Sequence, residues 1–333
     1  MTSGSCFGRV CHAGPYRLKP RAVTDLSIAV IVPCLNEEAA IGKVVSDFRA
    51  ALPGATVYVY DNNSTDKTIE VATAAGAVVR RERRPGKGMV VRRMFGDIDA
   101  DVYVMVDGDD TYDASLAPRL VEHLLAERLD MVVGKRIETH TASYRPGHRL
   151  GNKVLTGLVR YLFRSKLEDM LSGYRVFSRR FVKSFPSSSR EFEIETELNV
   201  HAMQMKMATA EIDTPYKERP PGSVAKLRTF RDGWRILVTI LNLLRNERPL
   251  MFFSWIALAF WLLSAVLAIP LVFEYLDTHT VPRFPTAILC SGIFVVGVIA
   301  LATGLILDLV AHVRREVKRL AYLAQPAPGE RPR

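Results

Sequence analysis

The chain has 333 residues, a formal net charge of +10 and 48% hydrophobic residues, which suffices for one sizeable domain with an added segment or for two small domains. Its four cysteines (Cys6, Cys11, Cys34 and Cys290) suggest no disulfide framework and fit a reducing compartment. Many of the basic residues flank long apolar runs and form no patch interleaved with aromatic residues, which argues against a nucleic-acid partner.

The amino-terminal 25 residues contain basic residues, Pro and Gly, and they lack the apolar core of a secretory signal. The two cysteines of "CFGRVCH" have a spacing that is unusual for a metal site. We therefore expect a disordered leader over residues 1–25. The Pro-rich end of the chain, residues 321–333, is expected to be disordered as well.

Residues 26–227 alternate continuous apolar runs with helical patterns. Strands are predicted at Ile28–Val32, Thr56–Tyr60 and Val102–Val106, with shorter ones in "AVVRR" and "DMVVGKR". Apolar strands that are each followed by a helix are typical of a parallel sheet that is buried on both faces. The sequence therefore predicts an α/β domain with a mostly parallel sheet, whose ligands bind at the carboxyl ends of the strands.

Polar residues follow each of these strands. The loops are Pro33 to Glu38, Asp61 to Ser64, Gly86 to Gly88, Asp107 to Asp110, and Gly134 to Arg136. Taken singly, several of them fit ordinary helix caps or turns. The first, second and fourth loops should nevertheless converge on one crevice, because the carboxyl ends of parallel strands meet at one edge of the sheet.

The most acidic of these loops, "VDGDDTYD", permits two interpretations. Asp and Gly favour polar turns, and Asp113 is a credible N-cap for a helix that begins near Ala114. Closely packed carboxylates also repel one another unless a cation takes up the charge. Asp107 and Asp109, at positions i and i+2, can both approach one hard divalent cation, and Gly108 between them permits a close approach of the backbone to a ligand.

After Pro249 come two apolar runs, Leu250–Phe273 and Phe284–Val310, and each exceeds the roughly 20 residues that cross a bilayer core. Core helices rarely run so long without a charge. Asp308, near the end of its run, can reach the interface. We expect transmembrane helices at about 250–273 and 284–311, within residues 249–320.

The flanking charges predict the orientation of these spans. Basic residues lie before the first run and after the second, whereas the connection between them holds two acids and one Arg. The positive-inside rule then leaves both termini and the soluble domain in the cytoplasm, on a multi-pass protein of the cytoplasmic (inner) membrane. Two spans per chain also make a homo-oligomer plausible.

The segment before the spans, residues 228–248, has an apolar helical stripe with Arg residues near its edges. This pattern predicts an amphipathic helix in the membrane interface, although an ordinary helix docked on the soluble domain has the same pattern. The loop before it carries Arg219 and Lys226, which could collect a lipid phosphate at the headgroup level.

Four segments, "VIVPCLNEEAAI", "YDNNSTDKT", "VDGDDTYD" and "SGYRVFSRR", resemble the ordered motifs of family 2 glycosyltransferases of the GT-A fold. With the two spans, the chain resembles more narrowly the polyprenyl-phosphate glycosyltransferases, the group of dolichol-phosphate mannosyltransferase. The resemblance covers about Ser27 to Arg319. It implies transfer of one sugar with inversion from a UDP- or GDP-sugar to polyprenyl (undecaprenyl or dolichyl) phosphate at a lipid bilayer, with Mg²⁺ or Mn²⁺.

The resemblance also implies roles for single residues. Asp107 and Asp109 match the metal-binding Asp-x-Asp motif, and Asp61 matches a carboxylate that binds the base or ribose. The second loop departs from the family pattern, which usually has a second Asp and a Gly. The expected nucleotide-sugar contacts are Pro33, Leu35, Glu37, Asp61, Lys87, Asp107, Gly108 and Asp109. The expected acceptor-phosphate contacts are Arg136, Arg149, Asn152, Arg219 and Lys226.

The expected catalytic residues are Asp109, Asp169, Arg136 and Arg175. Related enzymes with hydroxyl acceptors place a base in the region of Asp169. A phosphate monoester is largely a dianion at neutral pH and needs no base, so Asp169 either acts directly or positions Arg175 or its loop. Cationic side chains would instead reduce the repulsion between acceptor and donor phosphates.

Two other functions fit the same resemblance. A processive polysaccharide synthase shares the fold, but the chain has no Gln-x-x-Arg-Trp motif and too few spans for an obvious pore. A catalytically silent membrane scaffold would keep the fold without needing Asp107 and Asp109. No single residue of the sequence identifies the sugar.

Overall fold

The computed structural model describes residues 26–138, 168–186, 194–217, 238, 241–242 and 244–330. The leader, most of the expected interfacial helix and the acceptor-phosphate candidates Arg149, Asn152, Arg219 and Lys226 lie outside these residues. Within the expected interfacial segment, the described residues 244–247 are helical, and the backbone N–H of Arg248 donates to the carbonyl of Leu244 at 2.9 Å.

Strands and helices alternate through the first domain, and two long helices end the chain. The strands are β1 (Ile28–Cys34), β2 (Thr56–Asp61), β3 (Val78–Arg81), β4 (Val102–Met105), β5 (Met131–Glu138), β6 (Arg175–Ser178) and β7 (Thr209–Tyr216). The helices are α1 (Ile41–Ala51), α2 (Thr68–Ala74), α3 (Lys87–Asp97), α4 (Ala117–Ala126), α5 (Arg179–Ser184), α6 (Ile194–Gln204), α7 (Pro249–Thr278) and α8 (Phe284–Leu323).

The seven strands form one sheet in the order β3-β2-β1-β4-β6-β5-β7. All neighbours pair in parallel except β6, which is antiparallel to both β4 and β5. This confirms the predicted mostly parallel sheet and the five predicted strands. Two strands were not predicted from the sequence: β6, which lies between β4 and β5, and β7, which forms one edge of the sheet.

The sheet separates two apolar layers. In α1 the four positions with apolar periodicity are all buried, and they pack against the even-numbered residues of β1. These α1 residues are Ile41, Val44, Val45 and Phe48. The other face of the sheet is covered by α3, α5 and α6, including a cluster of aromatic rings around Phe177. Central strands buried on both faces explain why the sequence reads as uninterrupted apolar runs.

The two carboxyl-terminal helices, α7 and α8, pack side by side in opposite directions. Trp261 Nε1 donates to the carbonyl of Phe294 at 3.3 Å, and Ser264 Oγ donates to the carbonyl of Cys290 at 2.9 Å. Most of their other apolar side chains are exposed. Both helices are long and apolar enough to cross a membrane, in accordance with the predicted hairpin.

The last helix differs from the expected boundaries. It continues to Leu323, beyond the expected end of the span near residue 311 and into the segment expected to be disordered. The extension packs against the α/β domain, where Lys318 Nζ donates to Gln204 Oε1 at 2.9 Å. Past the helix, Arg179 Nε donates to Gln325 Oε1 at 3.2 Å. These polar contacts explain how a segment with a disorder-like composition acquires a defined position.

Candidate active site

Three parallel strands bring the first, second and fourth predicted loops to one edge of the sheet. The register pairs Cys34 of β1 with Asp61 of β2, and the N–H of Val106 donates to the carbonyl of Ile31 at 3.2 Å. Asp61 is 1% exposed, and its carboxylate accepts from the N–H of Ser64 at 3.2 Å. The three loops therefore meet at the carboxyl edge of the sheet, where the crevice was expected.

The first two loops are joined by direct hydrogen bonds. Asn36 Oδ1 accepts from the N–H of Thr65 at 2.8 Å, and Glu38 Oε2 accepts from the N–H of Lys67 at 2.7 Å. The N–H of Glu37 donates to Thr68 Oγ1 at 2.9 Å. Pro33 is the buried penultimate residue of β1, and Leu35 and Glu37 follow the strand at this edge.

Asn62 occupies the position at which the second loop departs from the family pattern. Its side-chain amide donates to the carbonyls of Glu82 and Arg84 at 2.9 and 2.8 Å and accepts from the N–H of Gly86 at 2.7 Å. The amide therefore ties the second loop to the third, immediately before Lys87. This structural use of Asn62 was not predicted from the sequence.

Lys87 bridges two carboxylates in the crevice. Its Nζ lies 2.5 Å from Asp107 Oδ1 and 2.5 Å from Glu195 Oε1, with 14% of the side chain exposed. Burial alone would favour the neutral amine, but the charges of Asp107 and Glu195 outweigh it and raise the pKa of Lys87 above its ordinary value. The ammonium therefore stays charged at neutral pH. Glu195, which is 108 residues away from Lys87 in sequence, was not among the expected site residues.

The carboxylates of the acidic loop have different surroundings. Asp109 is 3% exposed and accepts from Thr111 Oγ1 at 2.6 Å. Asp110 forms an ion pair with Lys43 at 3.0 Å. Asp113 accepts from the N–H of Ser115 at 3.0 Å and caps the short 3₁₀ helix Ala114–Leu116, which confirms the predicted N-cap. Asp110 and Asp113 thus have roles outside a metal site.

Two glycines permit close packing around Asp107. A Cβ at Gly108 would lie 2.6 Å from Cys34 Sγ, so this glycine lets the loop pass over the end of β1. A Cβ at Gly173 would overlap the Asp107 carboxylate. Gly108 was expected to admit a ligand, whereas its observed close neighbour is a protein sulfur atom.

The residues present fit a hard divalent cation. Asp107 and Asp109 supply carboxylate oxygens, the donor type that Mg²⁺ and Mn²⁺ prefer. The described part of the chain has no group of three or more His, Cys, Asp or Glu residues that could hold a metal ion. An ion held by two carboxylates would complete its shell with water and substrate phosphate, which is the usual arrangement for Mg²⁺.

Arg136 and Asp169 form a bidentate ion pair near the crevice. Arg136 Nε and one terminal nitrogen each lie 2.8 Å from a carboxylate oxygen of Asp169, and the backbone N–H of Arg136 donates to the same group at 3.1 Å. Burial opposes ionisation of Asp169, but these bonds and the Arg136 charge hold its pKa below the usual range. A carboxyl with a lowered pKa is a weak base, so the geometry favours the positioning role over a general base.

Arg175 lies in the core and not in the crevice. Its side chain is fully buried, and its guanidinium donates to the carbonyls of Ser172 and Met170 and to Asn199 Oδ1 at 2.7–2.9 Å. Arg175 was expected to be a catalytic residue. In the structure it instead supports the loop before β6. The sequence did not indicate this position, because every residue of β6 is buried and no alternation of polar and apolar residues distinguishes the two faces of the strand.

Sequence comparisons identify relatives of this chain. The sequence model of "Glycosyl transferase family 2" matches residues 29–185. Glycosyltransferase AglJ of Haloferax volcanii is 32% identical over 307 residues, which cover 90% of this chain and 99% of that protein. The chain belongs to glycosyltransferase family 2. A dolichyl-phosphate hexose transferase of the same organism is 28% identical over 221 residues, which cover 66% of this chain and 95% of that protein.

A solved structure supports the fold of this family 2 glycosyltransferase. Glucosyl-3-phosphoglycerate synthase from Mycobacterium tuberculosis, in complex with Mn²⁺, UDP-glucose and phosphoglyceric acid, aligns with a TM-score of 0.55 at 24% identity. The alignment covers 65% of this chain and 79% of that chain. The α/β domain therefore has the GT-A architecture that the resemblance implied.

Proposed function

We propose that this family 2 glycosyltransferase transfers one sugar, with inversion, from a UDP- or GDP-sugar to a polyprenyl phosphate. The observation that carries the proposal is the convergence of Asp61, Asp107 and Asp109 on one edge of the sheet. Two cationic side chains lie near the same edge: Lys87 at the start of α3, which follows β3, and Arg136 near the carboxyl end of β5. Carboxylates suited to a divalent cation and cations suited to phosphates are thus found together.

In the proposed reaction, Asp107 and Asp109 would hold the metal ion, and Asp61 would bind the nucleoside. A bound metal ion would supply Lewis-acid stabilisation of the charge that develops on the departing nucleoside diphosphate. The Mn²⁺ and UDP-glucose in the M. tuberculosis structure support this assignment. Sugar transfer measured with each ion separately decides between Mg²⁺ and Mn²⁺.

The acceptor is proposed to attack without a general base. A phosphate monoester is largely a dianion at neutral pH, so its oxygen is already a nucleophile. Arg136, which Asp169 fixes in place, would reduce the repulsion between this phosphate and the donor. The name of the dolichyl-phosphate hexose transferase relative and the two apolar helices support a lipid-linked acceptor.

The proposal includes an orientation in the membrane. The two apolar helices cross the cytoplasmic membrane as a hairpin, and the α/β domain and both termini lie on the cytoplasmic side. The support is the charge distribution, since Arg314, Arg315, Lys318 and Arg319 follow the second apolar run.

The decisive experiment incubates the detergent-purified full chain with Mg²⁺ or Mn²⁺, undecaprenyl phosphate and a panel of labelled nucleotide sugars. We expect label in the lipid with one donor, and loss of that label with a chelator or with Asp109→Asn. The matched control is Asp47→Asn, because Asp47 is 43% exposed on α1 and pairs only with the exposed Lys43 among the described residues. Its activity should equal that of the parent.

Other outcomes would contradict the proposal. A growing sugar polymer in place of a singly glycosylated lipid would identify a processive synthase. Equal activity of Asp109→Asn and the parent would show that the reaction does not depend on the proposed metal site. No transfer from any donor to any lipid phosphate would favour a silent scaffold.

A further inference from the structure

A polar cavity lies at the junction between the α/β domain and the hairpin, and no residue of the acidic loop lines it. Its volume is about 590 Å³, within the range of about 300–1,000 Å³ that small-molecule sites occupy. Three parts of the chain form its walls: the end of α6 with Lys206, the start of α7 with the two residues before it, and Asp308 and Arg315 of α8. We call this cavity the junction pocket.

The junction pocket carries charges of both signs. Its acidic residues are Glu247 and Asp308, and its basic residues are Lys206, Arg248 and Arg315. In the described part of the chain, neither Glu247 nor Asp308 has a hydrogen bond or a close ion pair. The charges of Lys318, Arg314 and Arg315 act on Glu247 from a longer distance. An ionised carboxylate next to a long apolar run is costly unless a cation compensates it.

The basic side offers donors for an anion. Arg315 Nε donates to the carbonyl of Ala311 at 3.2 Å, and within the described chain no hydrogen bond occupies its two terminal nitrogens. A guanidinium with free terminal nitrogens is suited to bidentate binding of a phosphate. The pocket thus presents an anion-binding group and two cation-binding groups at the same time.

The position of the junction pocket indicates the source of its ligand. Leu250 and Met251, which begin the first apolar run, form part of its lining, and Asp308 is close to the end of the second run. If the two helices cross a bilayer, the pocket lies at the level of the lipid headgroups. Its apolar residues then adjoin the acyl chains of the neighbouring lipids.

We propose that the junction pocket binds the headgroup of a zwitterionic phospholipid, with the phosphate on Arg315 and a primary ammonium on Glu247 and Asp308. A purely anionic ligand would leave Asp308 without a partner and would be repelled by both carboxylates. A divalent cation alone would be repelled by the three basic residues. The zwitterion is the ligand class that compensates both signs of charge.

Binding of such a lipid would stabilise the junction, because its headgroup contacts α6, α7 and α8 together. The proposal rests on membrane insertion of the hairpin and not on the glycosyl transfer. It is therefore tested by a binding measurement that requires neither a nucleotide sugar nor activity, so its failure is distinguishable from failure of the proposed function.

The test uses native mass spectrometry of the delipidated full chain in detergent. Dioleoyl phosphatidylethanolamine, dioleoyl phosphatidylglycerol, dioleoyl phosphatidylcholine and undecaprenyl phosphate are titrated separately. We expect one phosphatidylethanolamine molecule to bind at least tenfold more tightly than phosphatidylglycerol or undecaprenyl phosphate. Phosphatidylcholine should bind more weakly than phosphatidylethanolamine, because its trimethylated nitrogen has no hydrogen to donate.

Substitutions that each remove one charge test which side chains bind the ammonium and which binds the phosphate. Asp308→Asn and Glu247→Gln should each weaken phosphatidylethanolamine at least fivefold and leave phosphatidylglycerol unchanged or tighter. Arg315→Gln should weaken both lipids. The matched control is Glu316→Gln, because Glu316 is the exposed neighbour of Arg315 on α8 and does not line the pocket. If Asp308→Asn lowers the unfolding temperature, the test of the ammonium contact rests on Glu247→Gln, because Glu247 lies before the apolar helices.

Four results would overturn the proposal. Equal binding of phosphatidylglycerol and phosphatidylethanolamine would indicate a simple anion site. Equal binding of undecaprenyl phosphate would assign the pocket to the acceptor. Displacement of the lipid by soluble phosphoethanolamine at equal concentration would indicate a soluble ligand. An unchanged affinity of Glu247→Gln for phosphatidylethanolamine would show that Glu247 does not bind the ammonium.

Discussion

Tyr322 Oη donates a hydrogen bond of 2.9 Å to the carboxylate of Asp130, across 192 residues of chain. Asp130 is 1% exposed and also pairs with Arg180, whose guanidinium lies 4.8 Å from the centroid of the Tyr322 ring. Asp130 immediately precedes β5, so this contact lies at the amino edge of the sheet, opposite the acidic loop. The last helix is thereby fixed to the α/β domain on the side away from the proposed chemistry.

The Tyr322 contact should contribute measurably to stability. Tyr322→Phe removes one donor from a buried carboxylate, so we expect the free energy of unfolding to fall by about 1–3 kcal/mol. Thermal unfolding of the full chain in detergent measures this loss. Tyr275→Phe is the matched control, because Tyr275 is 49% exposed near the other end of the hairpin and should change little. Equal effects of both substitutions would show that the contact with Asp130 adds nothing specific.

Gly108 should be required for packing against Cys34. A Cβ at position 108 would lie 2.6 Å from Cys34 Sγ, so Gly108→Ala is expected to cost about 1–3 kcal/mol by overpacking. In a Cys34→Ala background the same substitution should cost less than about 1 kcal/mol, because the obstructing sulfur is gone. Unfolding temperatures of the four variants test this coupling.

The competing interpretation of Gly108 gives a different pattern. If the glycine instead admits the nucleotide sugar, Gly108→Ala should lower affinity for UDP or GDP equally in both backgrounds and leave stability unchanged. Calorimetric titration of the nucleotides measures that affinity directly.

The outcomes for individual residues indicate how far the sequence could predict this site. The edge that gathers Asp61 and Asp107 was predictable, because continuous apolar strands imply parallel pairing and parallel strands end at one edge. The contact between Lys87 and Glu195 was not, because it joins segments 108 residues apart through the packing of α6 on the sheet. Arg175 was misplaced because a strand buried on both faces carries no alternation that separates the core from the crevice.

Substitution of Arg175 should lower the stability of the fold, because this side chain has a structural and not a catalytic role. Its guanidinium bonds the carbonyls of Ser172 and Met170 and the side chain of Asn199, so Arg175→Met leaves three buried acceptors with fewer donors. We expect a loss of about 3 kcal/mol or more in unfolding free energy, measured in detergent. The control is Arg119→Met on the exposed face of α4, which should change little. A lowered kcat with unchanged stability in Arg175→Met would restore the expected catalytic contact.

His201 is a buried imidazole in an aromatic environment. Its Nε2 lies 3.1 Å from Ser184 Oγ, the rings of Phe181 and Phe185 meet it edge to face, and its Nδ1 has no hydrogen-bond partner among the described residues. Burial lowers the pKa of His201 to about 3, and the charge of Lys318 acts in the same direction. The folded protein therefore holds this imidazole neutral.

This neutral imidazole predicts a pH dependence of stability with a definite sign. The unfolded chain takes up the proton near the ordinary pKa of about 6.5, so the contribution of His201 is complete above that pH and declines as the pH falls toward 3. Between pH 6.5 and 5 we expect the parent to lose about 1–2 kcal/mol more than His201→Gln, which cannot titrate. Chemical unfolding at each pH measures the difference, with the exposed His279→Gln as control. Parallel stability curves for the parent and His201→Gln would mean that the imidazole is protonated in the folded state, since only equal proton uptake by the folded and unfolded chains removes the slope.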